Sequence, residues 1–343
     1  MQRPSGEDGT PQVLITAATH GNEPNAAWLL ESWPEPSWPG AIRVRPVTAN
    51  PDALACNRRY IDCDLNRSFL KARNAPAAAG DPLEVRRARD LLRFWGTGGE
   101  QPCSVAIDLH STTAAMGACL VVYGRRGGDL ALAAGIQRRL GLPVYLHEGD
   151  ASQTGFLVEA WPCGVVIEVG PVAQGVLDSR IIRQTRLALE TAIEVLQDCR
   201  SGAPLNWPAH LEVHRHLGSL DVPRDGSGEA MACIHPARQG RDWQPLALGD
   251  PLFEAHGGED MVLEPHHLAQ WSEGGGAAGP LVPVFINEAA YREKGIAMSF
   301  TVRECWPVEP AWIEALQRVL AVPPSPQLSP AAAGSSSGTS GPL

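Results

Sequence analysis

Val13-Leu-Ile-Thr-Ala-Ala-Thr-His-Gly-Asn-Glu23 decides how this chain is read, because an apolar, β-branched run ends abruptly in two side chains able to hold a metal. The run at residues 13–16 predicts a strand buried on both faces. Residues 19–22 form the turn at its carboxyl end, where open α/β sheets place their ligands. His20 and Glu23 stand three apart, so one imidazole and one carboxylate from a single turn occupy two corners of a zinc tetrahedron and leave room for water. Val105-Ala-Ile-Asp-Leu-His110 is a second strand-like run ending in the missing third ligand. Spacing alone leaves a plainer reading open, a histidine bound to backbone at a strand end and a glutamate starting a helix.

Working outward, strands and helices alternate. A helix over residues 26–32 is closed by a Pro- and Trp-rich loop at 33–40, and a strand follows at 42–48. Strand, helix, strand is a parallel crossover unit. Beyond it the pattern predicts helices at 84–95, 128–140 and 177–199 and strands at 105–110, 118–123, 142–146 and 165–169. Alternation to about residue 200 predicts an α/β fold with a largely parallel sheet. After that the chain is rich in Gly and Pro, with short strand-like runs at 211–214, 230–234 and 283–287, so a smaller β-rich domain is expected beside the first. The expected division is 1–200, 201–305 and 306–343, the last a short helix and a disordered tail of Pro, Ala, Ser and Gly.

Composition narrows the class. With 343 residues and 44% hydrophobic content the chain can bury a large core, and no apolar stretch is long enough to cross a bilayer. The amino terminus lacks the apolar region of a signal peptide, so a cytoplasmic location is expected. A net charge of −10 argues against a nucleic-acid surface and against anionic membranes. The eight cysteines are scattered without a Cys-x-x-Cys pair, which suggests reduced thiols.

The series Thr19-His-Gly-Asn-Glu23, Arg59-Tyr-Ile-Asp-Cys-Asp-Leu-Asn-Arg67, Asp108-Leu-His110, Ile167-Glu-Val-Gly-Pro171 and Asn287-Glu-Ala-Ala-Tyr291 resembles the aspartoacylase and succinylglutamate desuccinylase family of the zinc carboxypeptidase superfamily, in that family's order. The similarity runs from about residue 13 to about residue 298. It implies a zinc-carboxypeptidase-like α/β domain with a largely parallel sheet flanked by helices, plus a smaller β-rich C-terminal domain. It also implies one catalytic Zn²⁺ per chain and hydrolysis of the amide bond of an N-acyl amino acid. N-acetyl-L-aspartate is the leading substrate, with N-succinylglutamate or N-acetylated aromatic amino acids as alternatives. A homo-oligomer is implied too, and a catalytically silent zinc-binding protein is the reading from outside enzymes.

The resemblance assigns His20, Glu23 and His110 to the metal, and two nitrogens with one oxygen suit zinc over calcium or magnesium. Zinc with three protein ligands keeps a fourth position for water and lowers its pKa to ~7. Asp108 falls on the same strand face as His110 and either orients that ligand or pairs with an arginine. Glu168, among the apolar residues of Val165-Val-Ile-Glu-Val-Gly170, is an acid inside a core strand, a costly placement that points to proton transfer. The family gives it that role: it takes a proton from water and returns it to the departing amine. Arg59 is expected to polarise the amide carbonyl, with Arg67, Asn66 and Tyr291 holding a substrate carboxylate. Glu288 is expected to brace an arginine. His214 and His216 are expected in solvated loops. The chain departs from the family where mammalian aspartoacylase carries a further substrate-binding arginine, since residues 152–159 have none. Losing such a contact costs ~2 kcal/mol of binding, which puts a strict preference for dicarboxylates in question.

Overall fold

The computed structural model describes residues 10–33, 42–150, 153–202, 206–269, 271 and 279–321. All of the expected loop at 33–40 except Trp33, the glycine run at 274–276 and the tail at 323–343 lie outside the described residues.

The sheet is built around β1 (Gln12–Ala17), which pairs in parallel with β2 (Arg43–Thr48) on one side and β3 (Val105–Ser111) on the other. Between β1 and β2 runs α1 (Pro24–Ser32), whose proline at the first helical position is pre-set for a helix start. The next helices are α2 (Pro51–Ala55), α3 (Phe69–Asn74) and α4 (Leu83–Trp95). After β3 come β4 (Ala118–Tyr123), α5 (Gly127–Leu140), β5 (Val144–His147), β6 (Cys163–Val169) and α6 (Ser179–Ser201).

The β-rich remainder consists of β7 (His210–Leu220), β8 (Ala232–Ile234), β9 (Pro251–Ala255), β10 (Asp260–Val262), α7 (Pro265–Ala269), β11 (Leu281–Val284) and β12 (Met298–Pro307), followed by α8 (Pro310–Ala321). β7, β12 and β11 continue the central sheet, giving nine strands in the order β11-β12-β7-β5-β4-β6-β3-β1-β2. β8, β9 and β10 form a separate antiparallel sheet. Five of the pairings in the large sheet are parallel; β4 against β6, β7 against β12 and β11 against β12 are antiparallel. The mostly parallel sheet, flanking helices and β-rich C-terminal region match the expected fold class. β12 and β7 pair over ten residues, a strand absent from the sequence-based expectation.

The period of two along each strand sorts residues between two cores. Val13, Ile15, Val105, Ile107, Val165 and Ile167 face one cluster, shared with α1, α5 and α6. Leu14, Ala106 and Val166 face the other, with Phe69, Trp161 and Tyr145. Asp108, His110 and Glu168 lie in phase with that second set. The parallel register sets Thr16 beside Asp108 and His110 beside Glu168. Polar chemistry therefore gathers on one face, at the carboxyl ends of three adjacent strands.

Candidate active site

At the end of β1 the chain turns through Ala18, whose φ of 51° lies in the left-handed region that a non-glycine residue seldom enters. Gly21 then packs directly on the backbone of α2: a Cβ there would fall 2.0 Å from the carbonyl carbon of Ala53. The Gly21 N–H donates to the Arg59 carbonyl at 3.2 Å, tying this turn to the arginine segment. That segment is ordered by Glu84, fully buried at the start of α4, whose carboxylate accepts the backbone N–H groups of Ile61, Asp62 and Cys63 at 2.7, 3.1 and 3.1 Å. Asp64 caps the following helical turn by accepting from Asn66 N–H at 2.8 Å.

His20, Glu23 and His110 are all buried, with potential ligand atoms within 4.8 Å of one another. Glu23 bridges the two rings: Oε1 lies 2.7 Å from His20 Nδ1 and Oε2 2.9 Å from His110 Nδ1. The outer nitrogens are also held. His110 Nε2 lies 2.7 Å from Asp108 Oδ2, and His20 Nε2 lies 3.1 Å from Asp64 Oδ1. Asp108 in turn accepts from the hydroxyls of Thr16 and Thr19, both at 2.7 Å. Asp108 therefore contacts His110 and pairs with no arginine among the described residues.

Burial works against charge at Glu23, but the attraction of His20 and His110 holds its carboxyl well below the usual range. Burial likewise opposes charge on His110, yet Asp108 and Glu23 raise its pKa well above 6.5. Two Nδ1 atoms and one carboxylate facing each other, with both outer nitrogens braced by aspartates, make a donor set that fits a zinc ion.

Glu168 sits beside His110 on β6, and its Oε2 is buried with no hydrogen-bond partner among the described residues. Burial pushes its carboxyl up to about 8, against the pull of His110. Arg59 reaches toward Asp64, Nη2 to Oδ2 at 3.2 Å, and toward Glu23, Nη1 to Oε1 at 3.5 Å. Its buried Nε has no partner among the described residues. Arg67 stacks on Phe156, 3.9 Å from the ring centroid, and donates to Gln153 Oε1 at 2.9 Å. The amide oxygen of Asn66 accepts the Leu157 N–H at 2.8 Å. Glu168, Arg59, Arg67, Asn66 and Phe156 line, with Tyr291, one cavity of about 50 Å³.

Two expectations change here. Glu288 braces no arginine among the described residues; its Oε2 accepts from the Thr112 hydroxyl, from the Thr113 N–H at 2.7 Å and hydroxyl at 2.9 Å, and from the Ala114 N–H at 3.2 Å. It latches the Tyr291 turn onto the segment that follows His110. His214 and His216 lie not in solvated loops but buried on β7, where the alternate residues Leu211 and Val213 face the opposite core. His216 Nδ1 lies 2.8 Å from the Tyr145 hydroxyl. Asp64 and Glu84 were not singled out in the sequence; their only signals are the Asp-Cys-Asp spacing and an acid in the first turn of a helix. The ring wall of Tyr123, Tyr145, His147, Phe156 and Phe285 was not anticipated either.

Residues 9–196 match the succinylglutamate desuccinylase/aspartoacylase catalytic domain, and residues 209–303 match the AstE/AspA barrel-sandwich hybrid domain. The chain is 55% identical to a "Probable aspartoacylase" of Prochlorococcus marinus (strain MIT 9313), over 90% of this chain and 98% of that protein. A "Probable aspartoacylase" of Synechococcus sp. (strain CC9605) is 53% identical over the same shares. Murine aminoacylase 3 superposes with a TM-score of 0.76 at 33% identity, covering 88% of this chain and 98% of that one. The succinylglutamate desuccinylase of Chromobacterium violaceum shares the fold, with a TM-score of 0.52 at 18% identity over 86% and 85% of the two chains. Fold, site and relatives together define an enzyme that hydrolyses amide bonds. Within that class the chain belongs to the succinylglutamate desuccinylase/aspartoacylase family.

Proposed function

We propose that this enzyme cleaves the amide bond of an N-acyl amino acid, N-acetyl-L-aspartate first among candidates, at a zinc ion held by His20, Glu23 and His110. The observation that carries the reading is the position of Glu168: a carboxylate whose buried Oε2 has no hydrogen-bond partner among the described residues, in the same cavity as the ligand cluster and two arginines. Zinc bound there would activate water and polarise the scissile carbonyl. Glu168 takes the proton of the attacking water and returns it to the departing amine. Arg59, whose Nε has no partner among the described residues, donates to the oxygen that gains charge as the carbonyl becomes tetrahedral. Arg67, with Asn66 and Tyr291 beside it, takes the substrate carboxylate. On a division of the chain at residues 200 and 305, the ligands, base and arginines belong to the first part, and Tyr291 reaches in from the second.

One observation favours a second substrate class. The ring wall of the cavity and the absence of arginine from residues 152–159 suit an N-acylated aromatic amino acid. Hydrolysis of a panel containing N-acetylaspartate, N-succinylglutamate and N-acetylphenylalanine decides among the three. Turnover of N-acetylaspartate at the highest kcat/KM is expected; a higher value for either of the others moves the assignment to it.

A further inference from the structure

On β5 the strand period puts Tyr145 and His147 on the face that carries the catalytic cavity, and the register with β4 sets His147 beside Tyr123. His147 is buried and lines that cavity, and its Nε2 is screened from water without a hydrogen-bond partner among the described residues. The Gln153 backbone approaches the ring without satisfying that atom. Phe156 and Tyr123 meet the imidazole edge-on, with centroids 5.4 and 5.7 Å away, and the His216 ring lies at 5.2 Å. A polar atom orphaned in such a setting costs free energy unless a ligand pairs with it.

Tyr145 defines the chemistry of the missing partner. Its hydroxyl stands between two ring nitrogens, 2.8 Å from His216 Nδ1 and 3.4 Å from His147 Nδ1, and its one proton serves only one of them. If the proton goes to His216, His147 donates from Nδ1 and its Nε2 is a bare acceptor; if it goes to His147, Nε2 carries a proton and donates. A hydroxyl answers either tautomer, because it both donates and accepts. A carboxylate answers only one and finds no charge, since burial, and after it His216, lower His147 to about 4. Position adds a demand on length. β5 lies three strands from β3 in the sheet, at ~4.8 Å per strand, so an aspartate side chain whose amide sits at His110 falls short of His147. Phe156 carries Arg67 on its face at 3.9 Å, so a substrate carboxylate on Arg67 brings its side chain beside the ring that His147 meets.

We propose that His147 is a specificity residue that pairs through Nε2 with a hydroxyl at the far end of an aromatic side chain, so that a tyrosine derivative is preferred to its phenylalanine analogue. The inference rests on the N-acylated aromatic reading of the substrate and names a member of that class. Hydrolysis of N-acetyltyrosine and N-acetylphenylalanine by the zinc-loaded enzyme tests it, because the two differ by that hydroxyl alone. The wild type is expected to favour the tyrosine derivative about tenfold or more in kcat/KM, since a site built to bind a hydroxyl is left with an unpaired polar atom by the analogue that lacks it. In His147→Phe the ratio should fall to about 1, and in His147→Gln, which keeps a donor and an acceptor, most of it should survive. The ratio does not depend on the fraction of protein that is folded, so a loss of stability cannot imitate the effect. A wild-type ratio near one, or a ratio that His147→Phe leaves unchanged, overturns the assignment of His147 and leaves the aromatic reading standing. A wild-type enzyme that hydrolyses neither compound overturns both.

Discussion

Asp108 Oδ2 lies 2.7 Å from Nε2 of His110, with both side chains buried and on one face of β3. The aspartate is itself fixed by two threonine hydroxyls, so it sets the direction in which His110 Nδ1 points. Asp108→Ala is therefore expected to weaken metal binding by about 10–100-fold, the usual cost of losing such an outer partner. Zinc competition against a chelator measures it. Unchanged affinity would remove Asp108 from the metal site and leave it a structural acid.

Glu168→Gln keeps the size and hydrogen-bonding capacity of the side chain and removes only its ability to take a proton. The variant should hold zinc as the wild type does and lose about 10²–10⁴-fold in kcat. Turnover within a few-fold of normal, at equal metal content, would show that another group moves the proton.

The central strands were legible because β1, β3 and β6 read as apolar runs broken only by residues with chemistry to do. In β3 those are Asp108 and His110; in β6, Glu168. A charged group in a strand buried on both faces is conspicuous in one dimension. β12 carried an equally clear signal, with Met298, Phe300 and Val302 alternating against Ser299, Thr301 and Arg303, but surrounding Gly and Pro masked it. His214 and His216 were misread for a related reason. Judged by neighbours they look like loop residues, whereas their burial comes from Tyr145, Trp243 and Thr301, partners distant in sequence. The contact between Glu288 and Thr112 spans 176 positions and leaves no local trace.

That contact predicts the behaviour of Glu288→Ala. Removing the carboxylate strands the Thr113 N–H and leaves the Ala114 N–H only the Thr112 hydroxyl at 3.1 Å, and the short helix Ala289–Lys294 also loses the cap that Glu288 Oε1 gives the Ala290 N–H at 3.0 Å. A loss of about 3 kcal/mol in stability is expected. KM should rise as well, because Tyr291 is no longer held at the cavity. Urea unfolding and steady-state kinetics read the two effects separately, and an unchanged KM would show that Tyr291 keeps its place without the latch.

Gly21 offers a test of the turn that carries two of the three proposed ligands. Its missing Cβ would stand 2.0 Å from the Ala53 carbonyl carbon and 2.2 Å from the Leu54 nitrogen, both backbone atoms that no rotamer change can move aside. Gly21→Ala must therefore push the turn away from α2, carrying His20 and Glu23 out of line with His110. Zinc content should fall even in protein that remains folded by circular dichroism. Full zinc occupancy in the variant would mean that α2 yields more readily than a buried backbone contact should.

The buried histidines predict how stability responds to acid. Burial, and secondarily the neighbouring His216, depress His147 to about 4, and burial also lowers His214 and His216. The groups facing His147 are the Tyr145 hydroxyl at 3.4 Å, the rings of Tyr123, Phe156 and His216, and the more distant charges of Asp150 and Arg67. Below the unperturbed value of ~6.5 the unfolded chain takes up a proton that the folded chain refuses, so the unfolded state binds more protons and stability falls as pH falls. The contribution is fully present above ~6.5 and is lost progressively down to about 4, at ~1.4 kcal/mol per pH unit for His147 in the middle of that window. His110 works in the opposite sense in metal-free protein, since its pKa is raised. The informative quantity is therefore the difference between wild type and His147→Phe, which keeps a ring among rings but cannot titrate. Urea-unfolding free energies at pH 7 and pH 5 should drop less in the variant by ~2 kcal/mol; parallel curves would show that His147 takes up a proton as readily in the folded protein as in the unfolded one.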